Sequence, residues 1–431
     1  MKKAKVGIIG FGTVGTGVAS CLIENSSIIK ARTGIDLILH KIADLDIERP
    51  RGIVLDKNIL TTDLNLVLEE SDIIVELIGG TTTAKKIILK ALQMGKPVVT
   101  ANKALLAKHG NEIFAAAEKM GTDIYYEASV AGGIPVIKSL REGLAANKIE
   151  KIYGILNGTC NYILTQMAQN SQSFEDALKK AQELGYAEAE PSLDIDGFDT
   201  AHKIVILASL AYGNWINPNN VYTEGIRNIS LSDIKYAKDL GYTIKLFGIA
   251  KRMNDDIQVR VHPVMIPNGT IMASINEANN GIFIEGKPIG GTLFYGKGAG
   301  MAATSSAVIA DIIDIARNLK HSSSRRIPCF TNDKHYGILL PMEEIDSRYY
   351  LRINVTDEPG VISKISTILG KEKISISSLI QWETSETSKP VPIVIVTHST
   401  YEKNIMKALK KIQTLSIVHD KINLIRIEDL Q

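Results

Sequence analysis

The stretch with the densest set of reactive side chains is SLDIDGFDTAHKIVILASLAY, residues 192 to 212. If a helix begins near Asp199, then Asp199 and Lys203 lie one turn apart on the same face. Residues 204 to 211 are almost all apolar, which predicts that the helix continues into a core. The pair would then lie at the edge of a buried region, whereas on an exposed helix it would add only about 0.3 to 0.5 kcal/mol of stability.

Residues upstream of this helix favour a binding site. They include four acids and two glycines: Gly185, Glu188, Glu190, Asp194, Asp196 and Gly197. Carboxylates grouped in a flexible loop could hold an ammonium group, and a lysine at the rim of such a site could transfer a proton. The segment is therefore predicted to bind a substrate that carries an ammonium group.

A glycine-rich turn, Gly10-Phe11-Gly12-Thr13-Val14-Gly15, follows an apolar run over residues 5 to 10. Gly10 permits a tight turn, Gly12 lets the backbone approach a pyrophosphate, and Gly15 lets the next helix pack against the strand. Because the N terminus of that helix would face the phosphates, we predict that the turn binds a dinucleotide.

The residues after the second strand leave the choice of dinucleotide open. Asp44 or Asp46 could bind the ribose hydroxyls of NAD, as an acid at this place does in many dinucleotide-binding domains. Lys41, Arg49 and Arg51 lie close by in the sequence and could instead pair with the 2′-phosphate of NADP. Both cofactors are compatible with this pattern.

Three further motifs lie where a ligand could bind. Lys103 ends TANK, residues 100 to 103, at the carboxyl end of a strand-like run. The run EASVAGGIP, residues 127 to 135, suits a loop near a ligand or a cation site built from main-chain oxygens. The run LNGTCNYI, residues 156 to 163, contains Cys160, which has no histidine near it in sequence and is more typical of a buried, inert cysteine than of a nucleophile.

The composition excludes some classes of partner and location. Lys and Arg number 49 against 47 Asp and Glu, and this balance gives no electrostatic case for binding nucleic acid or a membrane surface. The three cysteines, Cys21, Cys160 and Cys329, lie far apart, which fits a reducing compartment, so we expect a cytoplasmic protein. No uncharged apolar run approaches the roughly 18 residues that a membrane span needs.

Changes of pattern along the chain predict three domains. Residues 1 to 130 alternate apolar runs with helical patterns, which predicts a parallel α/β sheet of the Rossmann type, with a return segment near residues 300 to 320. Residues 131 to 320 read as a second, α+β domain, and residues 321 to 347 as a polar linker. Residues 348 to 431 follow the order βαββαβ of the ferredoxin-like fold.

Taken together, these stretches resemble the monofunctional, regulated homoserine dehydrogenases over essentially the whole chain. The motifs that carry the resemblance are GFGTVG at 10 to 15, TANK at 100 to 103, EASVAGGIP at 127 to 135, NGTCNY at 157 to 162, GYAEAEPSLDIDGFDTAHK at 185 to 203 and GKGAG at 296 to 300. The last unit, with DEPGV at 357 to 361, is similar to ACT domains, which bind amino-acid effectors. The resemblance implies a Rossmann-like cofactor domain, an α+β catalytic and dimerisation domain, a C-terminal ACT domain, and a homodimer or homotetramer.

The resemblance also implies roles for individual residues. Lys203 would be the acid–base residue, with Lys103 beside the reacting oxygen, while Glu188 and Asp199 would bind homoserine. A monovalent cation, Na⁺ or K⁺, would be held largely through main-chain oxygens of Glu127, Val130, Gly132 and Ile134. Positions that would contact NAD(P) are Gly10, Gly12, Thr13, Val14, Gly15, Lys103, Gly185 and Gly300.

The implied reaction is the reversible, NAD(P)-dependent interconversion of L-homoserine and L-aspartate 4-semialdehyde in threonine, methionine and isoleucine biosynthesis. L-Threonine would be a feedback inhibitor acting through the ACT domain. Because a lysine base must lose its proton first, we expect homoserine oxidation to be fastest at alkaline pH. Two positions depart from the family pattern: Cys160 stands where a second threonine is usual, and Ala43 where a basic residue often follows the second strand.

Two other functions fit parts of the sequence. An aldehyde dehydrogenase could act on the semialdehyde with Cys160 as its nucleophile, and it would then need Cys160 for turnover. A nucleotide-sensing regulator could use the same domains to report redox state and an amino acid, and it would bind the cofactor without turning over a substrate.

Overall fold

The computed structural model describes residues 3 to 331, 337 to 381 and 390 to 430. The first unit contains β1 (Lys3–Ile9), α1 (Thr13–Glu24), α2 (Ser26–Thr33), β2 (Asp36–Ala43), β3 (Leu60–Thr61), α3 (Leu64–Glu70), β4 (Ile73–Glu76), α4 (Thr82–Gln93), β5 (Val98–Thr100), α5 (Lys103–Met120) and β6 (Ile124–Tyr125). The second contains α6 (Val136–Lys138), β7 (Lys148–Ile155), α7 (Gly158–Asn170), α8 (Phe174–Glu183), α9 (Ser192–Ile195), α10 (Phe198–Tyr212), β8 (Tyr222–Thr223), α11 (Leu231–Asp239), β9 (Tyr242–Met253), β10 (Asp256–Pro267), β11 (Asn279–Lys287), β12 (Gly290–Lys297) and α12 (Met301–His321). The third contains β13 (Asp346–Val355), α13 (Val361–Lys371), β14 (Ile376–Gln381), β15 (Val391–Thr397), β16 (Thr400–Tyr401), α14 (Glu402–Gln413) and β17 (Asn423–Ile427).

The strands of the first unit form a parallel sheet in the order β3-β2-β1-β4-β5-β6. This is the Rossmann order, in which the direction of winding reverses between β1 and β4 and a ligand crevice opens at their carboxyl ends. The apolar run over residues 5 to 10 corresponds to β1, and the predicted α/β fold class is confirmed. The strands β3 and β6 have only two residues each, which is too short to show any periodicity.

A long helix returns from the second unit to the first. The helix α12 crosses α1 at Gly17, where a Cβ would lie 2.3 Å from Ser305 Oγ, so only glycine allows this approach. Val308, Ile312 and Ile315 on α12 belong to the same hydrophobic core as β1 and β4. The N terminus of α12, which Gly300 caps, therefore lies beside the dinucleotide turn.

The second unit is built on an antiparallel sheet in the order β12-β11-β7-β9-β10. The helix α10 lies directly on this sheet, because a Cβ on Gly248 of β9 would come within 2.9 Å of Ile204 Cβ. Residues 204 to 209 of α10 are all buried, as their apolar run predicted. The sheet thus fixes the position of the helix that carries Asp199 and Lys203.

The third unit has the predicted βαββαβ order, and its sheet is continuous with the sheet of the second unit. Its edge strand β17 pairs in parallel with β10, Val264 opposite Arg426 and Met265 opposite Ile427. The two units therefore share one sheet of 11 strands. The sequence did not predict this junction, because a two-residue pairing between distant segments leaves no local pattern.

The described parts of the predicted linker, residues 321 to 347, are packed against both the first and the second unit. Tyr126 donates a hydrogen bond to the carbonyl of Cys329 at 2.6 Å, and Arg141 donates one to the carbonyl of Pro328 at 2.9 Å. The ring of Phe330 stacks on Phe114, with centroids 5.9 Å apart. Residues 332 to 336, also within this prediction, lie outside the described residues. Among the helices of the described residues, none is long and apolar enough to span a lipid bilayer.

Candidate active site

The pair predicted at the start of α10 is formed. Lys203 Nζ lies 2.6 Å from Asp199 Oδ2 and donates a second hydrogen bond, of 2.7 Å, to the carbonyl of Leu156. Lys203 is 8% exposed and Asp199 3% exposed. An ammonium group has three donors, so Lys203 keeps one N–H that has no partner among the described residues. That N–H can point to an oxygen of a bound substrate.

Asp199 joins the two lysines that the sequence singled out. Its other oxygen, Oδ1, lies 3.1 Å from the Nζ of Lys103, which begins α5 in the first unit. Burial alone would raise the pKa of Asp199, but Lys203 and Lys103 hold it well below its usual range. Asp199 in turn is the main reason why the pKa of Lys103 is raised. Both partners are thus charged at neutral pH, and the cluster bridges the two units.

Asn157 is a member of this cluster that the sequence analysis did not assign. Its Nδ2 donates to Asp194 Oδ1 at 2.7 Å and to Asp199 Oδ2 at 2.9 Å, while its Oδ1 caps α7 by accepting from the amide of Cys160 at 2.8 Å. Burial, and then the charge of Asp199, raise the pKa of Asp194. The signal available in the sequence was an asparagine placed three residues before Cys160, which is typical of a helix cap.

A second group that the sequence analysis missed supports the loop before Lys103. Glu76, at the end of β4, is fully buried and accepts from Thr100 Oγ1 at 2.6 Å and from the amide of Ile78 at 3.0 Å. Burial raises the pKa of Glu76. The bond to Thr100 joins the carboxyl ends of β4 and β5. An acid that ends an otherwise apolar strand was the available signal.

The glycine turn has the shape that a dinucleotide needs. Gly10 has φ of 106°, and a Cβ there would lie 2.7 Å from the carbonyl carbon of Leu77. A Cβ on Gly15 would lie 2.1 Å from the Gly10 oxygen, whereas one on Gly12 would meet nothing within 4 Å. The space beside Gly12, at the N terminus of α1, can therefore admit a pyrophosphate, and Thr13 and Val14 form the first turn of that helix.

The residues after β2 fold onto this turn. Asp44 accepts from the amide of Phe11 at 2.6 Å, and the guanidinium of Arg51 stacks over the Phe11 ring at 4.6 Å while its Nη2 lies 3.5 Å from Asp44. Lys41 instead donates to the carbonyl of Asn58 at 2.9 Å. Arg51 is thus the basic residue, of those considered, that is seen to contact the glycine turn.

Two other predicted residues lie in an exposed loop. Gly185 and Glu188 lie between α8 and α9, and the carbonyl of Glu188 accepts from Gln182 at 3.1 Å. The Glu188 charge helps to raise the pKa of Lys103, although less than Asp199 and Asp194 do. The structure therefore places Glu188 near the lysine cluster and not in contact with it, and the role of Gly185 stays a prediction.

The loop predicted to hold a cation is mostly buried and lies beside two buried acids, Glu127 and Asp311. Ala131 and Gly132 have φ of 56° and 53°, and a Cβ on Gly132 would lie 2.6 Å from the oxygen of Gly298. The carboxylate of Glu127 accepts from the amides of Ile137 and Lys138, and its own amide donates to Asp311. Burial raises the pKa of Glu127 to about 7 and that of Asp311 well above its usual value. Neither acid has an ion-pair partner among the described residues, so their raised pKa values favour the neutral carboxyl form, and the cation stays a prediction.

Cys160 does not have the surroundings of a nucleophile. It is fully buried, and its Sγ lies 3.2 Å from the carbonyl of Asp194. Burial, followed by the charges of Asp194 and Asp199, raises its pKa well above the usual value. A thiol held in its neutral form is unreactive, which argues against the aldehyde dehydrogenase mechanism.

Comparison with known proteins agrees with this geometry. Family models match the chain at residues 10 to 127 (homoserine dehydrogenase, NAD binding domain), 135 to 313 (homoserine dehydrogenase) and 349 to 414 (ACT domain). A homoserine dehydrogenase of Neisseria gonorrhoeae is 45% identical over 434 residues, which is 100% of both chains.

Solved structures give the same result. A homoserine dehydrogenase from Thiobacillus denitrificans superposes with a TM-score of 0.93 at 43% identity and covers 100% of this chain and 99% of its own. A hyperthermophilic archaeal homoserine dehydrogenase in complex with NADPH superposes with a TM-score of 0.61 at 27% identity, over 74% of this chain and 98% of its own. This chain belongs to the homoserine dehydrogenase family, whose members are NAD(P)-dependent oxidoreductases.

Proposed function

We propose that the enzyme interconverts L-homoserine and L-aspartate 4-semialdehyde, with Lys203 as the acid–base residue. The observation that carries this proposal is the contact of buried Lys203 and Asp199 with half-buried Lys103 at the mouth of a Rossmann crevice. Bound NAD(P) supplies the hydride chemistry, taking a hydride from the hydroxyl-bearing carbon in one direction and returning it in the other. The chain supplies orientation and the proton path.

The proton path follows from the contacts of Lys203. In the reductive direction its free N–H lies at the carbonyl oxygen and delivers the proton that forms the hydroxyl group. In the oxidative direction the neutral amine takes that proton back. Asp199 and the Leu156 carbonyl hold the amine in place by two hydrogen bonds, so that its third position stays directed at the substrate oxygen. Lys103, held charged by Asp199, stabilises negative charge that develops on the same oxygen.

The ammonium group of homoserine is assigned to the acids around Asn157. Asp199 already accepts from two lysines and from Asn157, whereas Asp194 accepts only from Asn157 among the described side chains. Asp194 therefore has the more open acceptor positions. Glu188 supports it from the loop, through charge rather than direct contact.

The assay that tests the reaction follows nicotinamide absorbance with L-homoserine at alkaline pH, in parallel with NAD and NADP. Turnover that requires homoserine is expected with at least one cofactor. Cofactor binding without turnover would favour a nucleotide-sensing protein instead. The two cofactors also test Arg51: if it binds a 2′-phosphate, Arg51→Leu weakens NADP at least tenfold and leaves NAD unchanged.

A monovalent cation is assigned to main-chain oxygens of Glu127, Val130, Gly132 and Ile134. The two buried acids, Glu127 and Asp311, support this assignment because neither has an ion-pair partner among the described residues and a nearby cation would stabilise their charged forms. The midpoint of thermal unfolding is expected to rise in NaCl or KCl relative to choline chloride at equal ionic strength. Equal midpoints in all three salts would contradict the assignment.

L-Threonine is assigned to the ACT unit as a feedback inhibitor. The turn at Pro359 and Gly360 leads into α13, and Gly360 has no side chain that could cap the helix. The amide of Val361 donates to the carbonyl of Glu358, and the next amides of the first turn are open to a carboxylate. Removal of residues 348 to 431 is a poor test, because it also removes Glu428, the partner of Arg260 and Lys251. Asp357 lies exposed in the same turn, where its carboxylate would pair with the ammonium group of threonine, so Asp357→Ala is expected to weaken inhibition while turnover stays intact. Unchanged inhibition would place threonine elsewhere.

A further inference from the structure

Asn280 makes a contact with the active site that involves the same carbonyl group as Lys203. It lies on β11 and is fully buried. Its Nδ2 donates to the oxygen of Leu156 at 3.0 Å, and the ammonium of Lys203 donates to that oxygen at 2.7 Å. A carbonyl oxygen has two acceptor positions, and these two donors fill both.

The orientation of the Asn280 amide follows from this contact. The oxygen of Leu156 can only accept, so the nitrogen of the Asn280 amide must face it and the amide oxygen must face away. That oxygen, Oδ1, is buried and has no hydrogen-bond donor among the described residues. Leaving a buried amide oxygen without a donor costs about 1 to 3 kcal/mol, which a donor on a bound molecule would recover.

The backbone that covers Asn280 comes from the turn that leads to the cofactor side. A Cβ on Gly298 would lie 2.1 Å from both Cγ and Nδ2 of Asn280, so the amide lies flat against a bare glycine. Gly298 also approaches Gly132, and it precedes Gly300 at the N terminus of α12. Asn280 therefore lies between the carbonyl that holds Lys203 and the turn that enters the helix beside the dinucleotide site.

We propose that Asn280 is a positioning residue of the active site. Its amide nitrogen fixes the Leu156 carbonyl against which Lys203 is held, and its amide oxygen accepts a hydrogen bond from an N–H or O–H of the bound substrate or nicotinamide. The inference rests on the proposed acid–base role of Lys203.

The decisive variant is Asn280→Asp, which keeps the size of the side chain. It puts a carboxylate oxygen where the Leu156 carbonyl now meets a donor, close to Lys203. The added charge stabilises the ammonium form of the base. We expect kcat for homoserine oxidation at pH 8 to fall about tenfold, and the alkaline limb of its pH profile to move up by about one pH unit.

The matched control is Asn279→Asp, one residue earlier on β11. Neighbouring residues of a strand point to opposite faces, so this variant adds the same charge to the same strand, away from Lys203. Other titratable groups whose charges reach this lysine are unchanged in both variants: Asp199 and His202 on α10, Asp194 on α9, Lys103 on α5 and Cys160 on α7. The control is expected to keep the parent profile.

A smaller variant, Asn280→Ala, decides the matter if the aspartate variant does not fold. It is expected to lower kcat about tenfold and to raise either the KM for homoserine or the Kd of NAD(P). The Kd is measured by nicotinamide fluorescence. The constant that changes identifies the molecule that brings the donor. Parent-like kcat, KM, Kd and pH profile in the folded variants would overturn the inference. Lys203→Met, assayed alongside, separates the proposed role of Lys203 from that of Asn280. If Lys203→Met still turns over homoserine, the proposed role of Lys203 is wrong. If it is inactive while the Asn280 variants behave like the parent, only the inference about Asn280 fails.

Discussion

Among the buried clusters of charge in the described residues, two differ clearly in how completely their hydrogen bonds are satisfied. One lies at the mouth of the crevice, and we call it the Lys203 cluster: Lys103, Asn157, Asp194, Asp199, Lys203 and Asn280. The other lies where β10 meets β17, at the junction between the second unit and the ACT unit, and we call it the seam cluster: Lys251, Gln258, Arg260, His262, Glu402, Arg426 and Glu428. Both are sheltered from water.

In the seam cluster, the charged side chains donate to or accept from one another. Arg260 is 1% exposed and donates to His262, Gln258 and Glu428, and the other oxygen of Glu428 accepts from Lys251 at 2.6 Å. In the Lys203 cluster, one N–H of Lys203 and the amide oxygen of Asn280 lack partners among the described residues. Saturated charges hold elements together, whereas unsaturated ones leave positions for a ligand.

The largest effect is expected for Lys203→Met, which should lower kcat by about a thousandfold or more, because it removes the proton donor. The fold should persist, since the side chain lies at the edge of the core and methionine has a similar length. Steady-state rates and thermal melting measure the two quantities. Lys108→Met, on the exposed face of α5, is the control and should stay within about twofold of the parent. If Lys203→Met is unfolded, the Lys203 cluster also stabilises the fold.

The seam cluster should show the opposite behaviour in Glu428→Gln. Burial alone would raise the pKa of Glu428, but Arg260 and Lys251 hold it below its usual value. The variant leaves buried Arg260 and half-buried Lys251 without their acidic partner. The free energy of unfolding is expected to fall by about 3 to 5 kcal/mol, with kcat per folded molecule nearly unchanged. Urea unfolding and active-site-normalised rates test this. A stable variant with impaired turnover would show that the seam acts on catalysis directly.

A smaller effect is expected for Asp194→Asn, which removes one carboxylate from the assigned ammonium site. The KM for homoserine should rise about tenfold while kcat changes less, because the reacting oxygen lies elsewhere. Asp196→Asn is the matched control, since Asp196 pairs with the surface residue Arg227. The assignment fails if the control raises KM as much as Asp194→Asn does.

The pH dependence should also separate the two clusters. Asp199 raises the pKa of Lys103, so Lys103 keeps its proton as the pH rises, and one deprotonation, that of the base, should control oxidation. The logarithm of kcat is therefore expected to rise with a slope of about one above neutral pH before it levels off. The lowered pKa values of Asp199 and Glu428 stabilise the fold above the ordinary pKa of these acids, and this contribution is lost only as the pH falls below it. Asp199 and Glu428 therefore contribute nothing to any change of melting temperature between pH 7 and 9. A slope of the logarithm of kcat near two would implicate a second base.

The sequence could predict the features that depend on residues close together in the chain. The parallel sheet, the glycine turn and the Asp199–Lys203 spacing follow from periodicity, glycine positions and one helical turn. The contacts of Asn157, Asn280 and Glu76 were not predictable in the same way, because each joins segments far apart in the chain. The seam was missed for the same reason: Glu428 and Arg260 are 168 residues apart, and a charged pair has no period.

The smallest effect is expected at Cys160, and it bears on which chemistry the Lys203 cluster performs. Cys160 lies beside Asp194 and Asp199, and burial together with their charges raises its pKa, so we expect it to serve only as packing within the cluster. Cys160→Ser replaces the thiol with a hydroxyl group of similar size, which can donate to the Asp194 carbonyl. The kcat should therefore stay within about threefold of the parent. Threonine at the same place adds a methyl group to a fully buried site and should cost more in stability than in rate. A Cys160→Ser variant that is folded but inactive would instead indicate that the thiol is a nucleophile. Semialdehyde oxidation in phosphate would then be the reaction to measure.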